Sequence, residues 1–218
     1  MRVWAFAAAS VAVRWASSLS GTGGHRGGSG PGGLLRSAAV SEALPEFPYH
    51  PDPVATGVVV PSPAVCVCCG RARGHLYTGP VHAEADLGRG LCPWCIADGS
   101  AAGRFDASFT DGSILGEDVP LDVFSAVDRR TPGFRAWQAV QWFFHCGDGT
   151  AFLGEAGPDE LAAHPDALGQ LRRKASGWGW PPGQIEHHLN TLGTGSSASA
   201  YLFRCRHCGI HLAYSDFA

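Results

Sequence analysis

The chain has 218 residues, 45% of them hydrophobic, with 11 Phe and 7 Trp, which is enough apolar material for a real core and excludes a chain disordered throughout. Its net charge of -3 and lack of a long basic run weigh against a general electrostatic grip on nucleic acid. No segment reaches the roughly 18 consecutive apolar residues that a membrane-spanning helix needs.

In chain order, Arg2 followed by apolar residues 3–13 resembles the core of a signal peptide, but Arg14 and Trp15 interrupt where a cleavage site belongs. The Gly/Ser-rich run after them is flexible by composition. Residues 1–43 therefore read as a disordered extension, or as the product of a start codon set too far upstream. Residues 44–63 hold six prolines and read as extended chain, with a short edge strand at 58–60. A strand is expected over 75–81, interrupted near Gly79-Pro80, and a short helix within 96–105, weakened by Gly99 and Gly103. Residues 106–120 read as a polar loop and 122–129 as a short helix.

Thr131-Pro132 is a good helix start. Phe134, Trp137, Val140 and Phe144 recur at helical spacing, so an amphipathic helix is expected from Pro132 to Cys146. Further on, 151–153 is apolar. Pro158-Asp159-Glu160 opens a helix that Pro165 breaks or restarts. Residues 184–192 read as helix and 201–204 as a strand.

Eight cysteines form three Cys-x-x-Cys pairs, Cys66/Cys69, Cys92/Cys95 and Cys205/Cys208, plus Cys68 and Cys146. Two pairs continue into glycine, at Gly70 and Gly209. Disulfide frameworks show no preference for this spacing, whereas metal knuckles do, because two neighbouring sulfurs must face one ion. Cys66, Cys69, Cys92 and Cys95 make a complete four-thiolate set for a zinc ion. The interval 70–91 leaves room for a hairpin, with residues 75–81 as one arm. A redox role for Cys92-Pro-Trp-Cys95 lacks the surrounding βαβ pattern. Cys68 reads as a bystander, since neighbouring Cys68 and Cys69 fit one ion poorly.

The third pair leaves Cys146, Cys205 and Cys208, with His145, His207, His211 or Asp148 as candidates to complete a second zinc site. An open fourth position would instead make it a catalytic zinc. Trp94 is expected to cover the first ion. Trp178 and Trp180 read as core or partner-facing anchors, His187 and His188 as surface residues, and His50 with Asp52 as shaping a proline-rich turn. No phosphate-binding glycine loop, GxSxG elbow or HExxH helix is present.

PYHPDPVATG, CVCCG with GHLYTGPV, LCPWCIADGSAAGRFDASFTD, RTPGFRAWQAVQWFFHCGD and YLFRCRHCG with YSD together resemble the CbrC family of small bacterial proteins across residues 44–216. The resemblance implies a cytoplasmic protein with no established biochemical activity, linked through one member to tolerance of a colicin. Similar members carry a further cysteine where this chain has Thr150. If that cysteine is a ligand, the second site here is one short, and His145 or His211 must compensate. The sequence as a whole predicts an α+β domain over 44–218, organised around Cys-x-x-Cys zinc knuckles. Its expected role is a zinc-stabilised interaction module for a protein partner. The alternative is an enzyme with an open metal at Cys146, Cys205 and Cys208.

Overall fold

The computed structural model describes residues 42–88, 90–110, 119–193 and 197–218. Most of the predicted extension, Arg89 and the middle of the loop at 106–120 lie outside these residues. Thirteen elements follow in order among the described residues. They are β1 Val59–Pro61, β2 His75–Tyr77, α1 Pro93–Ala97, α2 Ser100–Phe105, α3 Leu121–Arg130, β3 Phe144–His145, β4 Asp148–Gly149, β5 Ala151–Ala156, α4 Pro158–Ala162, α5 Pro165–Gly177, α6 Pro182–Thr191, β6 Ala198–Arg204 and β7 His211–Phe217. The mixed helix-and-sheet class is as expected. Among the described residues three antiparallel sheets form: β1-β2, β3-β4 and the three-stranded β5-β6-β7.

The central strand β6 of the three-stranded sheet is buried on both faces, which explains why it reads as an unbroken run of small and apolar residues rather than an alternation, whereas edge strand β5 leaves Leu153 and Glu155 exposed. Tyr201 and Phe203 of β6, with Tyr214 of β7 and Phe152 of β5, face an aromatic core shared with Phe134 and Trp142. Ala198, Ala200 and Leu202, with Ala213, face a second core of Leu161, Leu171, Ile185 and Leu189 from α4, α5 and α6. The alternation therefore sorts the residues of one strand between two different cores.

The helix expected from Pro132 to Cys146 does not form. Residues 131–143 run as an irregular strap across the sheet, and Phe144 and His145 enter β3. Tertiary hydrogen bonds outcompete the helical ladder here. The backbone N–H groups of Trp137 and Gln141 donate to the hydroxyls of Tyr201 and Tyr214 at 3.3 and 3.2 Å, and that of Gln138 donates to Asp216 Oδ2 at 3.0 Å. Phe134 stacks on Phe152 at 3.9 Å between centroids, whereas Trp137 is left 51% exposed. Gly133 lets the strap pass close to the chain beneath it, since a Cβ there would sit 1.7 Å from the Phe109 carbonyl oxygen.

Three smaller expectations also change. Strand β2 ends at Tyr77 and pairs with β1, so the hairpin encloses the first knuckle instead of separating it from the second. His188 is buried, with Nε2 3.1 Å from Ser215 Oγ, while its neighbour His187 is exposed. His50 is wholly buried. Its Nδ1 lies 2.7 Å from the Pro132 carbonyl and its Nε2 2.7 Å from Thr56 Oγ1. Because the carbonyl can only accept, Nδ1 carries the proton and Nε2 accepts from Thr56, a neutral ring that burial holds down at a pKa of about 4. The turn itself is shaped by Asp52, whose carboxylate accepts from Ala55 N–H at 2.9 Å.

Candidate metal centres

The first knuckle lies in the connection between β1 and β2. Gly70 N–H donates to the Cys66 carbonyl at 2.8 Å and Cys66 N–H to the Arg71 carbonyl at 3.0 Å, with Gly70 at φ +69°. The third pair, in the connection between β6 and β7, repeats this turn. Gly209 N–H donates to the Cys205 carbonyl at 3.1 Å, Cys205 N–H to the Ile210 carbonyl at 2.9 Å, and Gly209 sits at φ +76°. The glycine after each pair is thus required, because the turn closes through a left-handed residue. Cys92 and Cys95 differ: they open α1, and Cys95 N–H donates to the Cys92 carbonyl at 3.1 Å. Backbone bonds from Val67 N–H to the Gly90 carbonyl and from Tyr77 N–H to the Leu91 carbonyl, both 2.8 Å, hold that segment against the first knuckle.

These elements bring Cys66, Cys69, Cys92 and Cys95 into one group whose sulfurs all lie within 4.8 Å of one another. The Cys66–Cys95, Cys69–Cys92 and Cys92–Cys95 sulfur separations are 3.8, 3.9 and 3.5 Å. A tetrahedral ion with metal–sulfur bonds of about 2.3 Å spaces its sulfurs about 3.8 Å apart. Cys66, Cys92 and Cys95 are buried and Cys69 is exposed. Burial disfavours the Cys66 thiolate, yet N–H groups of Cys69, Cys92 and Cys68 outweigh it and bring the thiol down to about 7. Burial raises Cys92 to about 11, and pushes Cys95 up as well. Four sulfurs this close cannot all ionise unless a cation shares the site.

Around this group, Trp94 donates its indole N–H to the Ala43 carbonyl at 3.1 Å, and the Arg73 guanidinium lies over its ring at 4.3 Å. Arg73 also pairs with Glu42. Cys68 stays apart from the group, its sulfur 3.7 Å from Ser100 Oγ.

The second group joins His145, Cys146, Cys205 and Cys208, with ligand atoms again within 4.8 Å of one another. His145 Nδ1 is 3.2 Å from Cys146 Sγ and 3.5 Å from Cys208 Sγ. An imidazole nitrogen and a thiolate on one tetrahedral zinc are about 3.6 Å apart. Cys146 and Gly147 form the two-residue turn between β3 and β4, at φ +55° and +72°. A non-glycine residue in that region is strained. The strain accompanies the convergence of His145 and Cys146, adjacent in sequence, on one point. Cys205 is drawn down to about 6: burial opposes its thiolate, but the N–H groups of Cys208 and His207 more than offset it. Neighbouring Cys208 and Cys205 raise Cys146 to about 11.

The other candidates for this group lie elsewhere. His207 Nε2 is 3.1 Å from Asp148 Oδ2, which also accepts from Arg206 at 2.6 Å, while Oδ1 accepts from Tyr49 Oη at 2.9 Å. Asp148 thereby ties the hairpin carrying His145 and Cys146 to the loop carrying Cys205 and Cys208. Sequence reasoning missed this anchoring role, because partners 58 and 99 positions away leave no local signal. His211 stacks on His164 at 3.9 Å. Thr150 is buried, its hydroxyl donating to the Phe143 carbonyl at 2.8 Å.

The fold and its paired clusters define an α+β protein with two cysteine-rich groups, each able to hold a metal ion. A family model described as uncharacterised protein family UPF0167 matches residues 44–217, and the chain belongs to that family. It is 51% identical over 185 residues to UPF0167 protein Mb2317 of Mycobacterium bovis and to UPF0167 protein MT2352 of Mycobacterium tuberculosis, each alignment covering 84% of this chain and 99% of the relative. It is 42% identical over 168 residues to UPF0167 protein PA1536 of Pseudomonas aeruginosa, covering 76% of this chain and 93% of the relative. No solved structure matches the chain.

Proposed function

We propose that the protein is a two-zinc interaction module whose fold each ion stabilises. Cys66, Cys69, Cys92 and Cys95 would hold one ion, and His145, Cys146, Cys205 and Cys208 the other. The observation that carries this reading is the set of sulfur separations in the first group, which fits a tetrahedral thiolate shell in a place where uncompensated thiolates would be costly. Thiolate and imidazole donors suit zinc among the common divalent ions. His145 supports a closed second shell, with four protein ligands, over the open metal of a hydrolase.

The resemblance to the CbrC family adds a context of toxin tolerance and a cytoplasmic setting, in which such a module would act by binding another protein. An aromatic patch supports that mode of action. Trp178 and Phe217 are 39% and 41% exposed, and Trp178 packs edge-on against Trp180 at 4.9 Å. Among the described residues no helix is long and apolar enough to cross a membrane.

The test is zinc content per purified chain. Wild type is expected to carry two equivalents, Cys92→Ser one, and Cys146→Ser one. Zero in wild type would reject the metal reading. One in wild type, unchanged by Cys146→Ser, would reject the second centre.

A further inference from the structure

The two groups differ in how solvent reaches their sulfurs. In the first, only Cys69 is exposed, and Cys66, Cys92 and Cys95 belong to the hydrophobic core. An oxidised Cys69 therefore has no second exposed thiol beside it. In the second, Cys146 and Cys208 are both exposed and their sulfurs lie within 4.8 Å, while Cys205 is buried. Cys146 sits at the tip of a two-residue hairpin, and Cys208 lies in the loop between β6 and β7. Joining them needs the two sulfurs to approach by at most about 2.7 Å, to a sulfur–sulfur bond of about 2.05 Å. The core need not open.

Resting on the two-ion reading, we propose that the second centre is a releasable one, in which hydrogen peroxide links Cys146 to Cys208 and frees the metal while the first centre stays intact. The chemistry balances. The Cys146 thiolate sulfur attacks one peroxide oxygen; the S–O bond forms, the O–O bond breaks, and hydroxide leaves and is protonated to water. The Cys208 thiolate then attacks that sulfur; the S–S bond forms, the S–O bond breaks, and a second hydroxide leaves and is protonated. Two thiolates lose one electron each, hydrogen peroxide gains both, and solvent supplies two protons. His145 and Cys205 remain, and two donors are too few to retain a zinc ion. Oxidation would thus exchange a metal link between the hairpin tip and the β6–β7 loop for a covalent one, and leave the knuckle in the first core untouched.

The experiment treats the purified full chain with zero to five equivalents of hydrogen peroxide. Released zinc is followed with a colorimetric chelator and disulfides by non-reducing peptide mapping. Release should level off at one of two equivalents, with a Cys146–Cys208 peptide rising in parallel, and dithiothreitol with added zinc should restore the starting state. Release of both ions together, a Cys205–Cys208 bond, or oxidation to sulfinic acid without a disulfide would each overturn the proposal. If the untreated chain carries fewer than two ions, the two-ion reading has failed by itself. Mapping of the oxidised thiols then still decides whether Cys146 and Cys208 are the pair that joins.

Discussion

Trp137 and Trp142 lie five residues apart in the strap, and the same substitution at each should have opposite consequences under the two readings of that segment. In a helix starting at Pro132, Phe134, Trp137, Val140 and Phe144 share the buried stripe, and Trp142 falls about 145° away from its centre. A Trp137→Ala change would then be the costly one. In the structure Trp142 is 4% exposed and Trp137 is 51% exposed. The Trp142 ring contacts Phe134 and Phe203, both at 5.7 Å between centroids, and its N–H donates to the Thr150 carbonyl at 3.0 Å. Truncating a buried Trp to Ala costs roughly 3–5 kcal/mol, and the orphaned carbonyl adds to it, so Trp142→Ala should cost about 4–5 kcal/mol. Trp137 loses half as much buried ring and one 3.3 Å bond to Ser199 Oγ, for a cost of about 2 kcal/mol. For a folded body of this size, the Trp142 loss corresponds to a drop in Tm of about 8–20 °C, more than double that at Trp137. Urea denaturation followed by far-ultraviolet circular dichroism, with metal held at the same saturation, measures both. A Trp137→Ala cost equal to or above that of Trp142→Ala would refute the strap and reinstate the helix.

Gly133→Ala should fail to reach the native fold, because its Cβ would collide with a backbone oxygen that cannot rotate away; soluble, cooperatively unfolding protein from this variant would contradict the close approach. His50 makes stability depend on acid. Its ordinary pKa of 6.5 falls to about 4 in the fold, so the unfolded chain takes up a proton that the native core resists. The contribution is present above pH 6.5 and drains away toward pH 4, to a total of about 3 kcal/mol. Comparing wild type with His50→Gln across that range cancels the titration of the thiols, and parallel stability profiles would dismiss the buried-neutral histidine.

What the sequence made legible is what depends on near neighbours. The Cys-x-x-Cys-Gly turns could be read because both sulfurs and the left-handed glycine sit within five positions. A short helix over 122–129 and a strand over 201–204 were legible too, and the fold extends them to α3 Leu121–Arg130 and β6 Ala198–Arg204. Helical spacing misled at the strap, since its amides find tyrosine hydroxyls and a carboxylate that no local window contains. His188 was misjudged for a related reason: its burial comes from the sheet it packs on, not from its own turn of helix. For the second group, sequence offered four candidates to complete three cysteines. The choice among them rests on the unusual backbone at Cys146 and on the pairing of His207 with Asp148, both consequences of the finished fold.

The strap also bears on the order in which the molecule can be assembled. Its amides at 137, 138 and 141 rely on groups at 201, 216 and 214, separated from them by 64, 78 and 73 positions. A chain emerging from the ribosome exposes those donors well before their acceptors have been translated. The stretch from 131 to 143 therefore cannot settle until the last hairpin arrives, and a polypeptide cut short ahead of that hairpin would leave Phe134 and Trp142 in water as an invitation to aggregate.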